Sequence, residues 1–256
     1  MKRNIALFIL LIAITVFAVP DSIKLEYSFE NNPYQAFQMT TQSKSEFSMF
    51  GIDQAASSEL ILNIHREAEK SDKKGLYKVL NVIDTGRIII NGKESRYEGE
   101  GNSTEVLMNR SGKIIENLAE SGKKINELQV NFPDKKITVG SYWGSTAKFD
   151  ISDITEETKN LDVAIKFVLK GFERYEGYEC AVIESRFETN EVKDRYLNVD
   201  IKGNGKIYFA YEEGKLLANF NQLKIKVDVK SDQNKEHTLR TIFKVDLELM
   251  TKLKSL

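Results

Sequence analysis

The stretch QLKIKVDVK, residues 222–230, alternates without a break. Leu223, Ile225, Val227 and Val229 fall on one side of an extended chain, and Lys224, Lys226, Asp228 and Lys230 on the other. A period of two marks a strand with one buried and one wet face, because successive side chains point to opposite sides. The pattern returns in LRTIFKVDLEL (239–249), LDVAIKFVLKG (161–171) and ELILNI (59–64), while YKVLNVI (77–83) is apolar on both sides. Several runs exceed the usual five or six residues of a strand, which points to broad, curved antiparallel sheets. Clusters such as SDKKG, NGKESRYEGEGN, ERYEG, KGNGK and SDQNKE supply the turns between them.

Helical signals are sparse. GKIIENLAESGKKINELQ (112–129) has some helical spacing through Ile115, Leu118, Ile125 and Leu128, weakened by Gly122. SDITEETKNL (152–161) offers caps for one or two turns. The fold expected is all-β or β-dominated: large curved antiparallel sheets, arranged as a half-barrel or a sandwich, with few short helices.

One turn and strand is written twice. SGKIIENL (111–118) returns as EGKLLANF (213–220), and the same offset of 102 residues lays GLYKVLNVI (75–83) on GYECAVIES (177–185). LILNI (60–64) matches VAIKF (163–167) with one residue more. Coincidence among lysine-rich strands is one explanation, and a structural duplication is the other. Duplication divides the chain into an N-terminal half, 19–130, and a C-terminal half, 131–256, within one continuous domain. Gly112 and Gly214 are then turn residues, with Lys113 and Lys215 turned to water.

The chain opens with MKRNIALFILLIAITVFAVP. Lys2 and Arg3 precede an apolar run, and Val16 and Ala18 fit a signal-peptidase site, so residues 1–18 are expected to be a cleaved signal peptide. An uncleaved anchor is the alternative, but the run falls short of the roughly 20 residues that span a bilayer. The mature chain is expected in the periplasm or outside the cell, with no transmembrane segment. The 37 basic and 38 acidic residues of the full sequence give no cationic excess to collect phosphate, so nucleic acid is not an expected partner.

Catalytic chemistry finds little foothold. Cys180 is the sole cysteine and alternates with apolar neighbours, which suits a small buried hydrophobe better than a reactive thiol. His65 and His237 lack partners at metal-ligand spacing. Adjacent carboxylates such as Glu156 with Glu157 and Glu212 with Glu213 point to opposite faces of a strand. GNGKI (203–207) lacks the spacing of a phosphate loop, DISDITEE (150–157) lacks that of a calcium loop, and no G-x-S-x-G occurs. An enzyme is therefore not expected, nor a cofactor, nor a metal.

Aromatic residues remain. Tyr142, Trp143, Phe149, Phe167, Tyr178, Tyr208, Phe209 and Tyr211 crowd the second half. They either fill a core or line a groove for an apolar ligand or glycan. As a lining, Trp143, Phe167, Tyr178, Phe209 and Tyr211 are the candidates.

Three segments carry a resemblance. NFPDKKITVGSYW (131–143), GFERYEGYECAVI (171–183) and GNGKIYFAYEEGKL (203–216) resemble uncharacterised exported bacterial proteins of a domain-of-unknown-function family. The likeness covers roughly residues 132–220 well and the first half loosely. It implies an envelope-facing β protein and brings no site residues. In architecture alone the chain is similar to curved-sheet periplasmic carriers of lipoproteins or lipids, whose sheet mouth is plugged by helices; no comparable helix is written here. The function expected is a non-enzymatic cell-envelope protein that binds a lipid or other apolar ligand on a curved sheet, or meets another envelope protein. A structural or interaction module with a closed β core is the alternative, and a hydrolase the remote one.

Overall fold

The computed structural model describes residues 20–49, 52–120, 130–150, 160–189, 192–193, 197–232 and 238–254. The leader, the acidic segment 151–157, most of SDITEETKNL and His237 lie outside these. Thirteen strands form one antiparallel sheet, and no helix occurs among the described residues. The all-β expectation holds, as a single open sheet rather than two facing ones. Residues 114–120, given helical spacing above, form a strand instead: a single turn of apolar spacing loses to pairing along a whole neighbouring edge.

The first half runs as a meander through β1 (Tyr34–Met49), β2 (Ile52–Lys70), β3 (Leu76–Ile90), β5 (Ser103–Asn109) and β6 (Ile114–Glu120), with the short β4 (Lys93–Arg96) folded onto β3. The second half runs through β7 (Tyr142–Asp150), β8 (Asn160–Tyr175), β9 (Tyr178–Thr189), β11 (Leu197–Ala210), β12 (Lys215–Asp232) and β13 (Thr238–Leu253), with the two-residue β10 (Val192–Lys193) on β11. The halves meet where β1 pairs with β13 over twelve residues, so strands near the chain's two ends occupy the middle of the sheet. β6 and β7 are its outer edges.

Alternation decides which face turns inward. In QLKIKVDVK, Val227 pairs across to Val199 and Phe243, and Ile225 to Ile201 and Val245, so apolar rungs continue from strand to strand. The opposite face carries Lys224, Lys226, Asp246 and Glu248. Curvature follows from two consecutive amides. Tyr27 N–H donates to Arg110 O (2.7 Å) in the β5–β6 turn, and Ser28 N–H donates to Gly214 O (2.9 Å) in the β11–β12 turn. Six strand spacings separate β5 from β11 in the sheet order, about 29 Å if the sheet were flat. Two neighbouring residues cannot bridge that distance, so the sheet curls and its apolar face is the concave one.

The bridging residues form a plug at one end of this trough. Ile23, Leu25, Tyr27 and Phe29 alternate inward along an extended N-terminal segment, and a bridge pairs Ile23 with Ile137 of the segment that joins β6 to β7. Together with Val130 and Phe132 they fill the space between Tyr77, Val79 and Val106 on one flank and Ile183, Ile207 and Phe209 on the other. Two smaller clusters continue down the inner face. One gathers Leu161, Val163, Val199, Ile201 and Val227; the other gathers Met39, Leu62, Ile64 and Ile83.

Candidate functional site

The trough's inner face changes character along its length. At the plug end the packing is complete: Tyr27 stacks on Phe29 at 5.5 Å and meets Phe209 edge-on at 5.3 Å, while Phe132 meets Phe209 at 4.6 Å. Farther along, Phe187, Ile225, Val229 and Phe243 face inward from three strands, β9, β12 and β13, yet stay only partly buried around their cluster. Leu60 and Leu249 do the same around theirs. This half of the trough presents a broad apolar surface on fixed strands.

The five aromatic residues picked out from the sequence do not share one lining. Phe167 and Phe209 are inside the filled core at the plug end. Trp143, on edge strand β7, stacks on Phe167 at 5.5 Å and donates its Nε1–H to Asn131 O at 2.8 Å. Tyr211 is partly buried at the rim of the same core and meets Phe172 edge-on. Tyr178 lies on the opposite face with Cys180, Val182 and Tyr208, beneath the Lys215 ammonium, which sits 4.0 Å from its ring centre. Lys215 is thus half-buried against a ring rather than simply turned to water. Cys180 is fully covered, and burial pushes its thiol up to about 11.

One inward residue stands out chemically and was not picked out from the sequence. Arg66 follows Leu60, Leu62 and Ile64 on the inward side of β2 and has no exposed surface. Its Nε–H donates to Asn81 Oδ1 at 2.9 Å, and its guanidinium lies 5.2 Å from the Phe37 ring centre. Both terminal nitrogens, Nη1 and Nη2, are buried without a hydrogen-bond partner among the described residues. Gln35 stands directly across on β1 and Asn81 on β3, both buried. Burial pulls the guanidinium's pKa down, and burial pushes that of the neighbouring Tyr27 phenol up, so Tyr27 supplies no counter-charge. Leaving a cation uncompensated in such a place costs on the order of several kcal/mol. The signal was available in the sequence: LILNIHRE keeps its period of two through Arg66, one residue past the histidine that drew notice.

The plug is pinned from outside by Glu30. Its carboxylate accepts from Tyr77 Oη (2.7 Å) and Arg110 Nη2 (2.6 Å), and Arg110 Nε donates to Tyr77 Oη at 3.1 Å. The Tyr77 hydrogen bond, aided by Arg110, holds the Glu30 pKa at about 2. A folded-state pKa below the unfolded value means stability that is present above about pH 4.3 and is lost as pH falls toward 2. The melting-temperature gap between wild type and Glu30→Gln should therefore be constant near neutrality and close between about pH 4.3 and 2. A gap independent of pH over that window would show that Glu30 contributes no charge-dependent pinning.

A groove of about 1420 Å³ crosses the charged outer face, lined by residues such as Lys166, Glu184, Arg186, Lys202, Asn204 and Lys206. Both signs of charge are mixed there, so it favours no single ionic ligand. His65, also on that face, pairs through Nδ1 with Asp84 at 2.6 Å and stacks on Tyr34. Among the described residues no group of three His, Cys, Asp or Glu side chains could hold a metal, and no helix is long and apolar enough to cross a membrane.

No protein-family model and no curated protein matches the sequence. Among solved structures, the chain is similar to a DUF1329 family protein from Desulfovibrio piger at 14% identity, over 86% of this chain and 87% of that one, with a TM-score of 0.17. It is similar to the translocator domain of autotransporter NalP from Neisseria meningitidis at 8% identity, over 86% and 88%, with a TM-score of 0.22. A third likeness is to an outer membrane lipoprotein-sorting protein domain from Vibrio parahaemolyticus: 10% identity, 82% and 84%, and a TM-score of 0.14.

Proposed function

We propose that this chain is an exported, non-enzymatic envelope protein that binds a lipid or other apolar ligand in the concave face of its sheet. The observation that carries the reading is the half-covered apolar surface away from the plug, where Phe187, Ile225, Val229 and Phe243 face inward and are only partly buried among the described residues. A monomeric soluble protein seldom leaves a contiguous apolar surface of this kind without a use for it. Export rests on the leader-like residues 1–18. Of the aromatic residues named from the sequence, Trp143 keeps some exposure at its edge strand but packs against the plug-end core, so it flanks the trough rather than lining its half-covered part. Two copies of one β unit, 19–130 and 131–256, fit the equivalent turn glycines: Gly75 and Gly177 have φ of 78° and 89°, Gly112 and Gly214 of 84° and 63°.

Native mass spectrometry of protein taken from its own envelope is expected to reveal a bound lipid. In vitro, Ile225→Ser should weaken binding of a hydrophobic dye by roughly tenfold, because a buried aliphatic contact is lost, while Lys226→Ser on the other face should not. Native protein that extracts no lipid and binds no dye overturns the reading. The second reading, a protein-interaction module, draws on the outer edges of β6 and β7, which pair with no further strand among the described residues. Tyr142 on β7 is 84% exposed, and Ile115 on β6 is 51% exposed. An unpaired strand edge flanked by apolar side chains suits strand addition by another protein.

A further inference from the structure

The geometry points to Arg66 as the anchor for an anionic head group, so that the ligand of the trough is an amphiphile bearing a carboxylate or phosphate rather than a neutral lipid. The inference rests on the apolar-ligand reading and deepens it. Three observations meet at this residue. Both terminal guanidinium nitrogens are buried and unpartnered among the described residues, and they are the pair that grips two oxygens of one anion side by side. Gln35 and Asn81, both buried, stand across from Arg66 on the adjoining strands, and the Asn81 amide holds Nε, which fixes the fork. From Arg66 the same strand continues through Ile64, Leu62 and Leu60, an apolar track of about 20 Å at the usual strand rise, leading from the buried charge toward the half-covered part of the trough.

An anion at this point satisfies the guanidinium, and its tail satisfies the apolar face. Arg66 is fully covered, so the head group enters only by displacing side chains packed around it. The charged groove on the outer face does not compete for this role, because its cations lie among carboxylates and are solvated.

The test compares dodecanoate with dodecanol, and both with inorganic phosphate, in binding to the full mature protein and to Arg66→Met and Arg66→Lys. Wild type is expected to bind dodecanoate at least about tenfold more tightly than dodecanol, the difference that charge-assisted hydrogen bonds supply. Arg66→Met should lose that preference while still binding dodecanol, and its melting temperature should not fall, because a methionine leaves no buried charge. Should Arg66→Met fail to fold, Arg66→Lys carries the measurement, with a reduced preference expected from an ammonium that cannot fork. Equal binding of acid and alcohol by wild type, or a preference that survives in Arg66→Met, overturns the inference and leaves the apolar-ligand reading standing. Binding of neither overturns both. Inorganic phosphate that stabilises wild type but not Arg66→Met, with no binding of dodecanoate, identifies an ion site and likewise overturns the amphiphile.

Discussion

Replacing Phe209 with alanine is expected to lower the unfolding free energy by about 3–5 kcal/mol, and the melting temperature by roughly 6–20 °C. Phe209 has no exposed surface and stands where three parts of the chain meet: strand β11, the N-terminal segment through Tyr27, and the β6–β7 connection through Phe132. An alanine there cannot be closed over easily, because its neighbours hang from three separate backbones held by hydrogen bonds of their own. Phe243→Ala, a ring of equal size in the half-covered part of the trough, should cost no more than about 1.5 kcal/mol. Chemical denaturation of the two variants decides the matter. Equal losses would mean that the core is spread evenly along the trough, and the division into a packed end and a receptive end would fall.

That division was only partly legible in the sequence. Period-two alternation marks β8, β12 and β13 plainly, because one face of each is wet and charged. Alternation says nothing about which strand lies beside which. The pairing of β1 with β13 joins residues some two hundred positions apart, and no local pattern carries it. The plug was readable in principle: Ile23, Leu25, Tyr27 and Phe29 alternate as cleanly as any strand, but a segment that pairs with turns instead of a sheet leaves no distinct mark. The mouth is filled by two extended segments where the carrier likeness implied helices. The aromatic residues misled for a related reason. Tyr178 and Phe209 belong to opposite faces, and only the register across β9 and β11 sorts them, with Ala181 beside Phe209 and Val182 beside Tyr208. Arg66 went unremarked because a charged residue at an inward position reads as a break in the pattern, although here the pattern runs through it.

The paired turns SGK and EGK allow the plug to be tested from its other side. Gly112 and Gly214 both have positive φ, where an alanine costs about 1 kcal/mol through its Cβ. Gly75 and Gly177 share that conformation, and a Cβ at either would meet nothing within 4 Å. At Gly214 a Cβ would lie 2.5 Å from Ser28 N and 2.8 Å from Glu26 O, inside the backbone of the plug. At Gly112 it would run into Val130 O and lie 2.8 Å from Tyr27 Cε2. Overpacking against backbone adds about 1–3 kcal/mol, so Gly112→Ala and Gly214→Ala should each cost about 2–4 kcal/mol, against about 1 for Gly75→Ala and Gly177→Ala. Asparagine, which tolerates positive φ, sharpens the contrast: Gly177→Asn should be close to neutral while Gly214→Asn keeps its penalty. Four equal losses would mean that φ alone sets the cost and that the N-terminal segment does not press on these turns. Unequal losses in the stated order would mean that glycine is needed at 112 and 214 for two reasons at once: the turn itself, and the lack of a side chain where the plug crosses it.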